Sequence, residues 1–328
     1  MTALTEKRQN HIDCAHGLMI LHMMFYHLCG SIIQDTPYYY PLLHTFAFFM
    51  AWFFFKSGMF YKDRKIKEVL LLGLKRLVIP ALIFSLIGFV CYLIAKRPET
   101  TFSNEIDYLY VVGAFRGIGP MWFLTSLYLV QIVYSLIFLI NKTHKTHLNP
   151  AIIAVISFAW LFFNKYLGLR PLWAYNIPLG LLFYSLGHLF KELQYNRIVV
   201  IVCIVIYSGF YFIHTNIDFM FGRFKPFVIA IPWALAGCIL INVLFKFIPF
   251  ICVAPLRFFQ KHAMEFLCTH MIIITIAEGY LQHNEKLISN VAFELIVFTA
   301  YLVVFSLILH FFKLQHIQWM FGRIRNKG

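Results

Sequence analysis

Ten long apolar runs follow one another along the 328-residue chain, separated by shorter polar connections. A helix needs about 20 mainly apolar residues to cross the hydrocarbon core of a bilayer. The runs are continuous and lack the alternation of membrane β-strands, so we predict helices. The predicted spans are residues 14–33, 41–60, 69–95, 121–141, 150–167, 172–190, 197–214, 226–246, 263–281 and 289–312.

The composition is that of a chain surrounded by lipid. Hydrophobic residues make up 61% of the sequence and charged residues 13%, whereas globular domains average about 45–50% and about 25%. We therefore predict an all-α integral membrane protein, a single polytopic domain over residues 1–328 with no appended soluble domain. The 7 cysteines form no CxxC pair and lie almost all in apolar runs, so we expect neither a disulfide framework nor a metal site.

The basic residues are distributed unevenly between the two sides of the predicted membrane. The formal net charge of +14 would suggest a nucleic-acid partner in a soluble protein. With the N-terminus in the cytoplasm, however, 20 of the 28 Lys and Arg residues fall on the inner side and the other 8 outside. Such an excess is typical of cytoplasmic loops. The pattern predicts cytoplasmic termini, an external 96–120 connection, contact with membrane lipids and no nucleic-acid partner.

The first apolar run carries ionisable residues on one helical face. Asp13, His16, Ile20, Met23 and His27 follow one another at spacings of three or four residues, so they share one face of the helix. His16 and His27 are ~16 Å apart along the helix axis, so they can hold two ends of one elongated ligand. Ionisable groups within a span are functional candidates. His27 can alternatively form a structural hydrogen bond to a neighbouring helix. His22 points about 120° away and is interpreted as structural.

Two further polar clusters accompany this stripe. The ninth run opens with Lys261 and Glu265, which are spaced to form a pair at the membrane interface, and His270 lies deeper and is the better site candidate. The inner connection over residues 61–80 contains Arg64, Lys75 and Arg76. These residues either set orientation and contact anionic lipid or form a phosphate-binding site. Pro80 interrupts the backbone bonding of the third run and can kink it.

Six stretches in the same order resemble the membrane acyltransferase type 3 family, nearest its fucose 4-O-acetylase-like branch. The first is RQNHIDCAHG at residues 8–17, followed by the apolar run that ends at His27. The resemblance covers about residues 8–312. The other five stretches are FFKSGMFYK (54–62), KRLVIP (75–80), PMWFLTSLYLV (120–130), LGLLFYSLGHLFK (179–191) and KHAMEFLCTH (261–270).

The resemblance implies ten membrane helices, a bacterial inner-membrane location and acetyl-CoA as the cytoplasmic acyl donor. The acyl group would pass to a hydroxyl, usually of an envelope glycan or glycolipid. The residues assigned to the site are His27, His16 and Asp13 for catalysis, Lys75, Arg76 and Arg64 for the donor, and Trp122, Glu265 and His270 for the acceptor. Acetyl and succinyl donors are both compatible with these residues, as are direct transfer and an acyl-enzyme.

His16 departs from the family, which usually has Arg or Lys at that position. If His16 holds negative charge on the donor, His16→Arg should keep or raise activity, because Arg is always charged. If His16 is instead a neutral hydrogen-bond partner of Asp13, a fixed charge is unfavourable in this partly apolar site, and His16→Arg should be poorly active. A glycolipid transporter or flippase is the alternative function, but we see no paired broken helices in two similar halves, as many transporters show.

Overall fold

The computed structural model describes residues 10–31, 40–96, 102–114, 119–144, 149–169, 171, 174–212, 216–218, 220, 223–249, 253–282, 291–311 and 317–323. Each of the ten predicted runs contains a helix, and a turn over residues 46–48 splits the second run into two. The helices are α1 (Asn10–Ser31), α2 (Tyr40–Thr45), α3 (Phe49–Met59), α4 (Ile66–Gly73), α5 (Ile79–Lys96), α6 (Phe102–Val112), α7 (Trp122–His144), α8 (Pro150–Leu167), α9 (Asn176–Leu193), α10 (Arg197–Tyr211), α11 (Phe227–Phe247), α12 (Leu256–Lys261), α13 (Ala263–Gln282) and α14 (Val291–Phe311).

Short turns and a β-hairpin add to these helices. A π-helical turn, Leu74–Val78, joins α4 to α5, and 3₁₀ turns lie at Gly119–Met121 and Gln318–Phe321. Between α10 and α11, β1 (Asn216–Asp218) pairs with β2 (Arg223–Lys225) in an antiparallel hairpin. This hairpin departs from the predicted all-α fold, and it falls in a connection between two apolar runs.

Among the residues that the structure describes, four helical stretches are long and apolar enough to cross a membrane: residues 66–94, 119–141, 150–167 and 227–247. Several outward faces are strongly apolar, with Phe163 62% exposed and Ile198 72% exposed. Such faces suit lipid, whose tails are as apolar as the side chains themselves. The total of ten spans and the cytoplasmic position of the termini stay predictions.

Helix α3 forms the centre of the fold. Most of its side chains are buried, and it packs against α1, α9 and α11. Glycine allows its close approach to α9, because a Cβ on Gly58 would overlap the carbonyl oxygen of Tyr184. Reciprocally, a Cβ on Gly187 would overlap the carbonyl oxygen of Phe55. The serine-glycine pair of the FFKSGMFYK stretch, Ser57 and Gly58, therefore lies where the backbones of α3 and α9 touch.

A buried hydrogen-bond network fixes α3 against its neighbours. The indole Nε1 of Trp52 donates to Oδ1 of Asn242 on α11 at 2.8 Å. The amide of Asn242 in turn donates to Oε1 of Gln194, just after α9, at 2.9 Å. Buried polar groups cost free energy unless they are paired, so these bonds favour one arrangement of the three helices. They also hold Trp52 beside the cavity described next.

Candidate active site

A cavity of about 660 Å³ opens between α1, α3, α7 and α13. Helices α1 and α3 run antiparallel along it, because His16 contacts Lys56 near the end of α3 while His22 packs on Phe49 at its start. His16 and His27 both line the cavity, ~16 Å apart along α1. Its volume lies within the range of about 300–1,000 Å³ that is usual for ligand sites.

One end of the cavity is basic and exposed. We call it the basic mouth, and it consists of Lys62, Arg64 and Arg76. Lys62 and Arg64 lie in the connection after α3, whereas Arg76 lies in the π-helical turn. Arg64 also pairs with Glu68 at 3.4 Å in an exposed contact. Guanidinium groups bind phosphate oxygens well, so this end suits an anionic ligand.

The π-helical turn places Arg76 at the mouth. Pro80 lacks an N–H and its ring crowds the carbonyl of residue 76, so a regular helical bond cannot form there. The N–H of Ile79 instead donates to the carbonyl of Leu74, five residues back. Turns of this kind recur at functional sites. The predicted effect of Pro80 thus takes the form of a π turn within a continuous helical stretch.

Further along the cavity, Lys56 and His16 form a close pair. Nζ of Lys56 lies 2.6 Å from Nδ1 of His16. An ammonium group has donors only, so Nδ1 must be the acceptor and the imidazole is neutral in this contact. Lys56 also lies 5.7 Å from the ring centre of Trp52. This geometry favours the neutral alternative for His16, with Lys56 as its partner.

At the far end, His27 of α1 meets His270 of α13, with ring centres 5.3 Å apart. Nδ1 of His270 lies 2.9 Å from the carbonyl oxygen of Phe266, so it donates and the lone pair is on Nε2. That Nε2 atom is buried and has no hydrogen-bond partner among the described residues. His27 lines the cavity, whereas His270 does not line it and packs against the ring of His27.

A family model described as an acyltransferase domain matches residues 9–311. The chain belongs to this acyltransferase family. The match contains the cavity, both histidines and the basic mouth, and it confirms the family that the sequence motifs predict. Comparison with curated proteins and with solved structures gave no match. The fucose 4-O-acetylase-like branch stays a prediction.

The predicted site residues of the acyltransferase divide into two groups. His16, His27, Arg64, Arg76 and Trp122 line the cavity. The other four do not line it; they are Asp13, Lys75, Glu265 and His270. In the described part of the chain, no group of three or more His, Cys, Asp or Glu side chains is placed to hold a metal ion.

Glu265, which is predicted to bind the acceptor, forms an ion pair in the structure. The residue is buried, with 3% of its surface exposed. Its Oε1 atom accepts a hydrogen bond from Arg323 at 2.6 Å. His262 lies 3.5 Å from the same oxygen. The partner expected from sequence spacing was Lys261, but the structure pairs Glu265 with the segment after α14. Glu265 therefore joins that segment to the start of α13 and does not line the cavity.

Several cavity residues were not identified from the sequence. Lys56 is the most informative, since a lysine within the apolar run of α3 is itself a signal of function. Tyr61 and Tyr184 add aromatic surface near the basic mouth. Burial, with a smaller contribution from Asp63, raises the pKa of Tyr61 to about 12, so its phenol remains protonated. No charge or spacing pattern distinguishes Tyr184 from other buried aromatics.

Proposed function

We propose that this membrane acyltransferase moves an acetyl group from acetyl-CoA to a hydroxyl of an envelope or exported glycan or glycolipid. The observation that carries the proposal is the cavity, which connects the basic mouth to His27. The mouth suits the phosphates of the donor, and a histidine beside the acceptor is the usual base for such chemistry. The proposed location is the bacterial inner membrane, crossed several times.

The donor enters through the basic mouth. Arg64 and Arg76 bind phosphate oxygens there, and Lys75, which was predicted with them, lies off the cavity wall. The chain from phosphate to thioester sulfur has about twelve bonds and spans about 14 Å at the ~1.2 Å advance per bond of an extended backbone. This length is close to the ~16 Å between His16 and His27, so a phosphate held at the level of His16 brings the thioester close to His27.

The reaction is a direct transfer. His27 takes the proton of the acceptor hydroxyl, whose oxygen forms a bond to the thioester carbonyl carbon. The carbon–sulfur bond then breaks, and the departing CoA sulfur takes the proton from the imidazolium of His27. His270 orients the imidazole of His27 from behind, and Trp122 provides a buried aromatic surface for the acceptor. General-base catalysis of this kind typically contributes 10²–10⁴-fold.

The experiment uses purified protein in lipid nanodiscs with acetyl-CoA and a panel of candidate glycans. The proposal expects free CoA to be released in an acceptor-dependent manner, together with an O-acetylated product. The alternative, a glycolipid flippase, expects movement of lipid-linked glycan between leaflets without CoA release. Movement of lipid-linked glycan between leaflets, with no CoA released for any glycan of the panel, would overturn the proposal.

A further inference from the structure

Lys56 occupies an unusual position for a lysine. It lies in the last turn of α3, the central helix, and the neighbouring Phe54 and Phe55 are fully buried. Its side chain lines the cavity beyond the basic mouth, beside Trp52 and His16. A charge is costly in such surroundings and is usually retained where it serves function.

His16 determines where this charge lies. The imidazole ring packs against Trp52 and Phe53, with ring centres 5.8 Å and 5.5 Å apart. These contacts hold its Nδ1 atom at hydrogen-bond distance from Nζ of Lys56. A neutral imidazole is a weak ligand for an anion, whereas the ammonium group beside it is a strong one. The positive charge at this level of the cavity therefore lies on α3 and not on α1.

We infer that Lys56 binds the diphosphate of the acyl donor and that His16 is its positioning residue. This inference rests on the proposed function. The ammonium group follows Arg64 and Arg76 along the cavity, so the diphosphate passes from exposed arginines to a more buried lysine. The arm between the phosphate and the thioester is about 14 Å long. If it starts at the level of His16, it ends close to His27, which lies ~16 Å away.

The test compares Lys56→Gln with Lys67→Gln, which removes the same charge from an exposed residue that does not line the cavity. CoA binding is measured by calorimetry in nanodiscs, and kcat and KM are measured with acetyl-CoA. Loss of one charged hydrogen bond, ~1.5–3 kcal/mol, corresponds to about 10–100-fold weaker CoA binding. Lys67→Gln should bind CoA as the wild type does.

S-acetylpantetheine, which lacks the diphosphate, provides a readout that a purely structural role would not give. Lys56→Gln should raise KM for acetyl-CoA but leave kcat/KM for S-acetylpantetheine close to the wild-type value. Should Lys56→Gln fail to insert, Lys56→Arg and Lys56→Met replace it, and only the arginine variant should keep CoA affinity.

The outcomes separate the two claims. Wild-type protein that neither binds CoA nor releases it from acetyl-CoA would overturn the proposed function and this inference together. Wild-type protein that binds CoA, with Lys56→Gln or Lys56→Met binding it equally well, would overturn the inference about Lys56 alone. An equal loss with acetyl-CoA and S-acetylpantetheine would also overturn it, because the diphosphate would then not be the group recognised.

Discussion

The ammonium group of Lys56 on α3 lies 2.6 Å from Nδ1 of His16 on α1. The contact joins residues that are 40 positions apart and brings the central helix against the helix that carries His27. It also makes the histidine an acceptor rather than a cation. The consequences of changing residue 16 therefore depend on residue 56.

His16→Arg should reduce acyl transfer at least tenfold, because it places a guanidinium against an ammonium group. Two like charges at about 4 Å repel by ~1–4 kcal/mol, depending on how much water screens them. The double variant His16→Arg/Lys56→Gln removes the repulsion and should recover activity. Steady-state rates with acetyl-CoA check this, and a fully active His16→Arg single variant would contradict it.

The sequence alone left both results open for His16→Arg. It gave the helical stripe that contains His16 and His27, since a period of 3.6 residues suffices for that. It did not place Lys56 beside His16, because contacts between distant helices depend on packing that no local pattern records. The pairing of Glu265 with Arg323 was missed for the same reason.

Other features were predictable to different degrees. Each of the ten apolar runs contains a helix, because a lipid environment requires long apolar segments with internal backbone bonding. Helices α6 and α12 lie outside the runs and were not predicted. Pro80 indicated an interruption, and the structure shows that it is a π turn carrying Arg76. The hairpin of β1 and β2 gave no signal, since three-residue strands are too short to show alternation.

The close packing of α3 on α9 predicts that Gly187→Ala destabilises the protein. A Cβ at Gly187 would overlap the carbonyl oxygen of Phe55, so the helices must separate. Overpacking of this kind costs about 1–3 kcal/mol, which thermal unfolding in detergent should show as a lower midpoint. Gly209→Ala is the matched control, because nothing lies within 4 Å of a Cβ there. Equal midpoints for the two variants would argue against this packing.

The ion pair between the buried Glu265 and the partly exposed Arg323 predicts a loss of stability in Glu265→Gln. The arginine side chain is 30% exposed and also donates to the carbonyl oxygen of Lys261, so losing the charged partner should cost about 1.5–3 kcal/mol, the range for a hydrogen bond to a charged group. Glu68→Gln breaks the exposed contact with Arg64 and should cost less than about 1 kcal/mol. Chemical unfolding of both variants measures the difference. A Glu265→Gln variant as stable as Glu68→Gln would show that the ion pair of Glu265 with Arg323 contributes little.

The distribution of basic residues predicts the orientation in the membrane. Single cysteines at the exposed positions Lys65 and Asp107, in a background without the 7 native cysteines, report the two sides. A membrane-impermeant maleimide added to intact cells should label residue 107 and should reach residue 65 only after lysis. The reverse pattern would invert the topology and place the basic mouth outside.

The most direct test of the account is the rate of acetyl transfer by His27→Ala, measured beside His22→Phe. His22 packs between Phe46 and Phe49 and does not line the cavity, so phenylalanine should preserve its contacts and leave transfer near the wild-type rate. His27→Ala should remain folded and lose 10²–10⁴-fold in rate, the usual contribution of a general base. A folded His27→Ala variant that keeps more than about a tenth of wild-type turnover would contradict the assignment of His27 as the base.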